Sequence, residues 1–135
     1  MRKRILVVDD EPAMGHVFRC ALAEYEVRAE TDPTLAIDVA KEFRPHVFLL
    51  DLIMPDIPGN VLAETIMRQP GLGEVPIIFI SAVVHTREQF EEPIWIGAFP
   101  AFGKPFCMHA LRKCIERQIG EADSTPTPLS LKTTS

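Results

Sequence analysis

Short apolar runs alternate with stretches of helical period along the chain. Five runs stand out: RILVVD (4–9), EVRAE (26–30), HVFLLD (46–51), VPIIFIS (75–81) and AFPAFG (98–103). Three are nearly unbroken apolar, as strands covered on both faces are, whereas EVRAE alternates like an edge strand. Between them, Met14, Val17, Phe18, Ala21 and Leu22 fall at i, i+3, i+4, i+7 and i+8, which predicts one apolar helix face. Leu35, Ala36, Val39, Ala40 and Phe43 repeat the spacing, with Asp32 as N-cap and Pro33 at the first helical position. Val61, Leu62 and Ile66 mark a third helix after Gly59, and Cys107, Leu111, Cys114 and Ile115 form a stripe on a last helix from about Phe106. This alternation predicts an α/β chain built of βα units, with helices on both faces of a five-stranded parallel sheet.

The fourth helix is poorly written. HTREQFEEPIWIG (85–97) carries Pro93 in its interior, where the ring removes a hydrogen bond and collides with the preceding turn at a cost of about 3 kcal/mol. A short, kinked or displaced element is expected there, and Ile94, Trp95 and Ile96 could form an exposed apolar patch. Beyond Gly120, EADSTPTPLSLKTTS is rich in Ser, Thr and Pro and has no face to bury. The expected organisation is one domain over residues 1–119 and a flexible tail or linker start over 120–135.

Composition narrows the classes. With 135 residues, 47% of them hydrophobic, the chain is long enough for a real core. Its three cysteines, Cys20, Cys107 and Cys114, form no Cys-x-x-Cys pair, which suits thiols in a reducing cytoplasm and no zinc site. The apolar run after MRKR ends at two aspartates, too soon for a signal peptide or a membrane span. A net charge of −5 argues against direct nucleic-acid binding, which needs a clustered basic face. A cytoplasmic protein with no membrane contact is expected.

The chemistry gathers at strand ends. In an open parallel sheet functional groups collect at the carboxyl ends of the strands. Asp9 and Asp10 end the first run, Asp51 the third and Ser81 the fourth, and Lys104 follows the fifth. Three carboxylates brought together repel, and each is driven toward protonation unless a cation compensates them. Hard oxygen donors with room for waters suit Mg²⁺ better than Zn²⁺. With a metal and the Lys104 ammonium holding Asp51 ionised, one of its oxygens is available as a nucleophile toward a phosphoryl group. Taken singly, Asp-Asp after a strand can be a helix N-cap and Lys-Pro a surface turn; the functional reading rests on their joint occurrence, in order, at four strand ends.

These residues resemble the receiver domain of two-component response regulators, over Met1 to about Ile119. ILVVDDEP is similar to that family's first strand and acidic pair, DLIMPDIPG to its phosphorylation segment, and ISA and GKPF to its fourth-strand hydroxyl and its lysine followed by proline. The resemblance implies a flavodoxin-like, doubly wound (βα)5 three-layer sandwich with strand order 2-1-3-4-5. It implies Asp51 as phosphoacceptor, Asp10 as a direct Mg²⁺ ligand and Asp9 as a ligand through water. It also implies a metal contact from the Ile53 carbonyl, with Ser81 and Lys104 on the phosphate. The implied donor is a sensor histidine kinase or phosphotransfer protein. The implied output is a downstream effector, with a homodimer through the fourth helix, fifth strand and fifth helix as one form. A free-standing receiver and the N-terminal part of a longer regulator both fit.

Departures from the pattern matter as much. Ala101, three residues before Lys104, stands where the family usually has Tyr or Phe, so the aromatic that turns inward on phosphorylation is missing. Phe99 and Phe102 are expected on faces other than that of Ala101, as core residues. Output is therefore expected to run through displacement of the Pro93 segment. Ile53 and Val83, which the resemblance places beside the path of the hydrolytic water, are apolar and predict slow autodephosphorylation. Two other classes fit less well. An aspartyl-phosphate hydrolase resembling haloacid dehalogenases has a second aspartate where this chain has Ile53. A flavodoxin-like cofactor binder needs a Gly-rich phosphate loop, which does not follow ILVVDDEP.

Overall fold

The computed structural model describes residues 2–82 and 93–120. Its strands are β1 (Arg4–Val8), β2 (Glu26–Glu30), β3 (Val47–Leu50), β4 (Ile77–Ser81), β5 (Ile94–Ile96) and β6 (Phe99–Gly103). The helices are α1 (Pro12–Ala21), α2 (Ala36–Phe43), α3 (Gly59–Met67) and α4 (Met108–Ile119). They form one sheet in the order β2-β1-β3-β4-β6-β5, parallel throughout except where β5 runs antiparallel to β6. The five parallel strands keep the expected 2-1-3-4-5 order, and β5 adds a sixth.

Strand alternation divides the core into two layers. Leu6, Val8, Phe48, Leu50, Ile77 and Phe79 face Ala36 and Ala40 of α2 and Leu62 and Ile66 of α3. Ile5, Val7, Val47, Leu49, Ile78 and Ile80 face Phe18 of α1 and Leu111, Cys114 and Ile115 of α4. Burial on both sides is what the unbroken apolar runs require.

Helix details sharpen the sequence pattern. Asp32 accepts the Thr34 N–H at 3.0 Å, capping a 3₁₀ turn (Pro33–Leu35) that leads into α2. Val17, Leu35 and Val61, expected on buried faces, are exposed because they lie at the flanks of their stripes. Gly15 is buried instead. A Cβ there would stand 2.5 Å from that of Ala29, so α1 lies on β2 at a distance only glycine permits. Cys114 is buried as expected, while Cys107 is the half-buried N-cap of α4.

The Pro93 region differs most from a helical reading. Residues 83–92 lie outside the described part, but Ile94, Trp95 and Ile96 form a strand. β-Branched and aromatic residues favour that state. Gly97, at φ +64, and Ala98 make a two-residue connection to β6, with glycine at the first central position as a primed hairpin turn requires. Ile94 and Trp95 are exposed, Trp95 at 60%. β5 thereby occupies the outer edge of the last parallel strand, the strand that the resemblance assigns to the output face.

One expectation is overturned by the strand period. Phe99 shares a face with Ala101, two residues on, and only Phe102 points to the other layer. Phe99 meets Phe79 edge to face, with ring centroids 5.7 Å apart. Ala101 is fully buried and flanked in register by Phe79 on one side and Ile94 on the other.

Candidate functional site

Asp9, Asp51 and Lys104 each follow directly on a strand and are held by the last bonds of the ladder. The Asp9 N–H donates to the Glu30 carbonyl (3.2 Å), the Asp51 N–H to that of Val8 (3.0 Å) and the Lys104 N–H to that of Ser81 (3.1 Å). The first residue past a strand thus inherits the sheet's precision, and parallel strands bring these residues to one rim. Ser81 itself closes β4, wholly buried and paired with Gly103.

The carboxylates of Asp9, Asp10 and Asp51 present oxygens within 4.8 Å of one another. Asp9 and Asp51 are buried and Asp10 is exposed. Into this group comes the Lys104 ammonium, 3.0 Å from Asp9 Oδ2, 3.4 Å from Asp51 Oδ2 and 3.6 Å from Glu11 Oε1. Lys104 therefore bonds Asp9 more closely than Asp51. Glu11 is an addition that strand-end reasoning missed; its signal is its place directly after the acidic pair.

The remaining oxygens are occupied locally. Asp9 Oδ1 accepts the Glu11 N–H at 2.9 Å, just before α1, so the pair does not serve as that helix's N-cap; Glu11 occupies the N-cap position. Asp51 Oδ1 accepts the Ile53 N–H at 3.2 Å. Ile53 is 61% exposed at the entrance to this loop.

Electrostatics follow from burial. Burial raises the Asp9 pKa above its ordinary value, and the nearby Asp51 charge adds to this; the Glu11 N–H and Lys104 oppose it without prevailing. For Lys104, burial acts downward, but the bond to Asp9 and the charges of Asp9 and Asp51 win, so its pKa is raised. One ammonium among four carboxylates leaves excess negative charge. Clustered oxygen donors of this kind have the chemistry of a divalent-cation site.

Gly59 shapes the loop from beneath. Its N–H donates to the Leu52 carbonyl at 2.9 Å, and a Cβ there would overlap the Asp51 carbonyl oxygen and stand 2.8 Å from Leu52 Cα. The start of α3 can pack under the Asp51 loop only without a side chain. On the opposite side of the rim, the Lys104–Pro105 peptide is cis.

Comparison with known proteins gives one consistent result. A family described as the response regulator receiver domain matches residues 5–116. A protein-glutamate methylesterase/protein-glutamine glutaminase of Agrobacterium fabrum is 35% identical over 107 residues, 76% of this chain and 30% of that protein. A DNA-binding dual master transcriptional regulator of Synechocystis is 22% identical over 91% of this chain and 52% of its own length. The chain spans about half or less of these relatives. Among solved structures, the receiver domain of a Pseudomonas aeruginosa sensor histidine kinase, described with a magnesium ion coordinated in its active-site cleft, has a TM-score of 0.74 and 27% identity. That match covers 90% of this chain and 100% of that one. Chemotaxis protein CheY4 of Vibrio cholerae gives a TM-score of 0.73 at 26% identity, covering 87% and 99%. Sequence, fold and rim agree: the chain belongs to the response regulator receiver domain family of two-component signalling.

Proposed function

We propose that Asp51 is the phosphoacceptor of this receiver and that the rim supports its phosphorylation with Mg²⁺. The observation that carries this reading is the convergence of Asp9, Asp10 and Asp51 within 4.8 Å, with the Lys104 ammonium 3.4 Å from the Asp51 carboxylate. The donor set fits the metal: carboxylate oxygens, one exposed member and an uncompensated negative charge. Asp10, Asp9, Asp51 and the Ile53 carbonyl would hold it. When bound, Mg²⁺ supplies positive charge against phosphoryl oxygens.

The protein's own residues do the rest. Asp51 attacks the phosphorus of a phosphohistidine on a sensor kinase or phosphotransfer protein; its O–P bond forms as the donor's P–N bond breaks. Lys104, carried at the end of β6, offers its ammonium to the transferred group, and Ser81 at the end of β4 offers its hydroxyl. Positioning and charge neutralisation suffice for such a transfer. The receiver module is residues 1–119, with 120–135 a tail or linker start, acting in the cytoplasm. Among the described residues, no helix is long and apolar enough to cross a membrane.

Output is the less conventional part of the proposal. With Ala101 locked between Phe79 and Ile94, no aromatic at that position can rotate, so the signal leaves through the Pro93 segment and its hairpin. A protein effector reads it there. Treating the chain with acetyl phosphate and Mg²⁺ and weighing it intact tests the acceptor. One phosphoryl increment is expected, absent in Asp51→Asn; an undiminished increment in that variant rules Asp51 out.

A further inference from the structure

The end of the sheet opposite the acidic rim carries a second charged concavity. Arg4 opens β1, His46 precedes β3, Lys41 and Arg44 close α2, and Pro70 and Leu72 come from the connection after α3. Together they line a cleft of about 420 Å³ that has no carboxylate among its lining residues. Three cations converge here in a chain of net charge −5. Among the described residues, none of the three forms an ion pair, whereas Lys104 and Arg112 do.

Local structure accounts for only part of this. Lys41 complements the carboxyl end of α2. Arg4 Nε donates to the Arg44 carbonyl at 2.8 Å, which fixes the guanidinium and leaves its two terminal nitrogens without a partner among the described residues. Arg44 sits at φ 58, ψ 65, a left-handed position where a non-glycine residue costs about 1 kcal/mol and glycine is the usual choice. Helix termination alone therefore argues for glycine; arginine there retains a charge at the cleft. His46 Nδ1 accepts the Arg4 N–H at 2.9 Å, so the neutral imidazole carries its proton on Nε2 as a further donor.

The dimensions select the ligand class. A bare phosphate fills a small fraction of this volume, and Pro70, exposed beside the cations, offers an apolar face, with Leu72 buried behind it. Volumes of this order are typical of small-molecule sites with a few converging polar groups. We propose that this cleft binds an organic phosphate of nucleotide size, its phosphates on Arg4, Lys41 and Arg44 and its organic body against Pro70. The site is independent of the phosphoacceptor, about 15 Å away along strands that rise about 3.3 Å per residue.

The test uses the 135-residue chain without Mg²⁺, titrated with ADP, with inorganic pyrophosphate and with adenosine, followed by amide NMR shifts and calorimetry. ADP should shift the amides of residues 41–44, 46 and 71–72 saturably, with a Kd of about 1 mM or tighter. Pyrophosphate and adenosine should each bind more weakly. Lys41→Ala with Arg44→Gly should weaken ADP at least about tenfold, the scale of losing charge-assisted bonds. Because glycine relieves the left-handed backbone, Arg44→Gly alone should melt no lower than the native chain, so lost binding there is not lost folding. Absence of saturable shifts, shifts confined to residues 9–11 and 51–53, or unchanged affinity in the double variant overturns the proposal. Pyrophosphate binding as tightly as ADP removes the organic body from it.

Discussion

Replacing Gly59 with alanine sets two effects of known size against each other. Gly59 is the first residue of α3, where alanine is the better helix former by at most about 1 kcal/mol. Against this, the new methyl would overlap the Asp51 carbonyl oxygen and lie 2.8 Å from Leu52 Cα and 2.9 Å from Asp51 C. An ordinary carbon contact is about 3.5–4.0 Å, so backbone atoms, which have no rotamer to escape into, must move by about 1 Å. Overpacking against movable side chains costs about 1–3 kcal/mol, and a rigid obstacle belongs at or above the top of that range. The expected net loss is about 3 kcal/mol in urea unfolding, with slower phosphorylation by acetyl phosphate because the displaced segment carries Asp51. Gly71→Ala is the control: its φ of +83 is strained for alanine, but a Cβ there meets nothing within 4 Å, so a loss of about 1 kcal/mol and normal phosphorylation are expected. Gly59→Ala within about 0.5 kcal/mol of the native chain, phosphorylating normally, would refute the packing argument.

Other expectations concern charge and output. Lys104→Met removes the cation from beside Asp9 and Asp51 and should cost about 1–3 kcal/mol at pH 7, part of it recovered on adding Mg²⁺; thermal melts with and without the metal should show a larger metal effect in the variant. Burial, with the charges of Arg4 and Lys3, lowers the His46 pKa below 6.5, so the unfolded chain takes up this proton first as pH falls. The native chain should therefore lose stability from about pH 6.5 down to the lower folded value, and His46→Gln should flatten that part of a urea-midpoint profile. Ile53→Asn should shorten the lifetime of the phosphorylated form by giving the attacking water a hydrogen-bond partner; Val83, its expected companion, lies outside the described residues. Beryllofluoride with Mg²⁺ should shift the amides of residues 94–97, beside Pro93, and stationary signals would remove the hairpin from the output route.

Most of the parallel sheet was legible because β1, β3 and β4 are buried on both faces and therefore unbroken in apolarity. The acidic rim was legible for the same reason: strand ends fix the place of the next residue, and Asp9, Asp51 and Lys104 each stand just past one. The hairpin was not, since Ile94, Trp95 and Ile96 are too few to show a period and Pro93 only says where a helix fails. Phe99 was misplaced although a period of two puts it with Ala101. The basic cleft could not be read at all, because its residues come from three segments far apart in the chain, with no common spacing. Gly15 and Gly59 carry no hydropathy signal, and the reasons for them are contacts made only after folding.

The hairpin gives the chain a built-in optical reporter. Trp95 is the single tryptophan of the sequence, and it sits on the outermost strand, half in solvent. Phe79 is in register with Ala101, and Ala101 with Ile94, the residue before it. A displacement beginning beside Ser81 would travel sideways through this ladder and arrive at the indole two strands away. Its emission can therefore follow the state of the rim in the unlabelled protein, with no probe introduced near the chemistry.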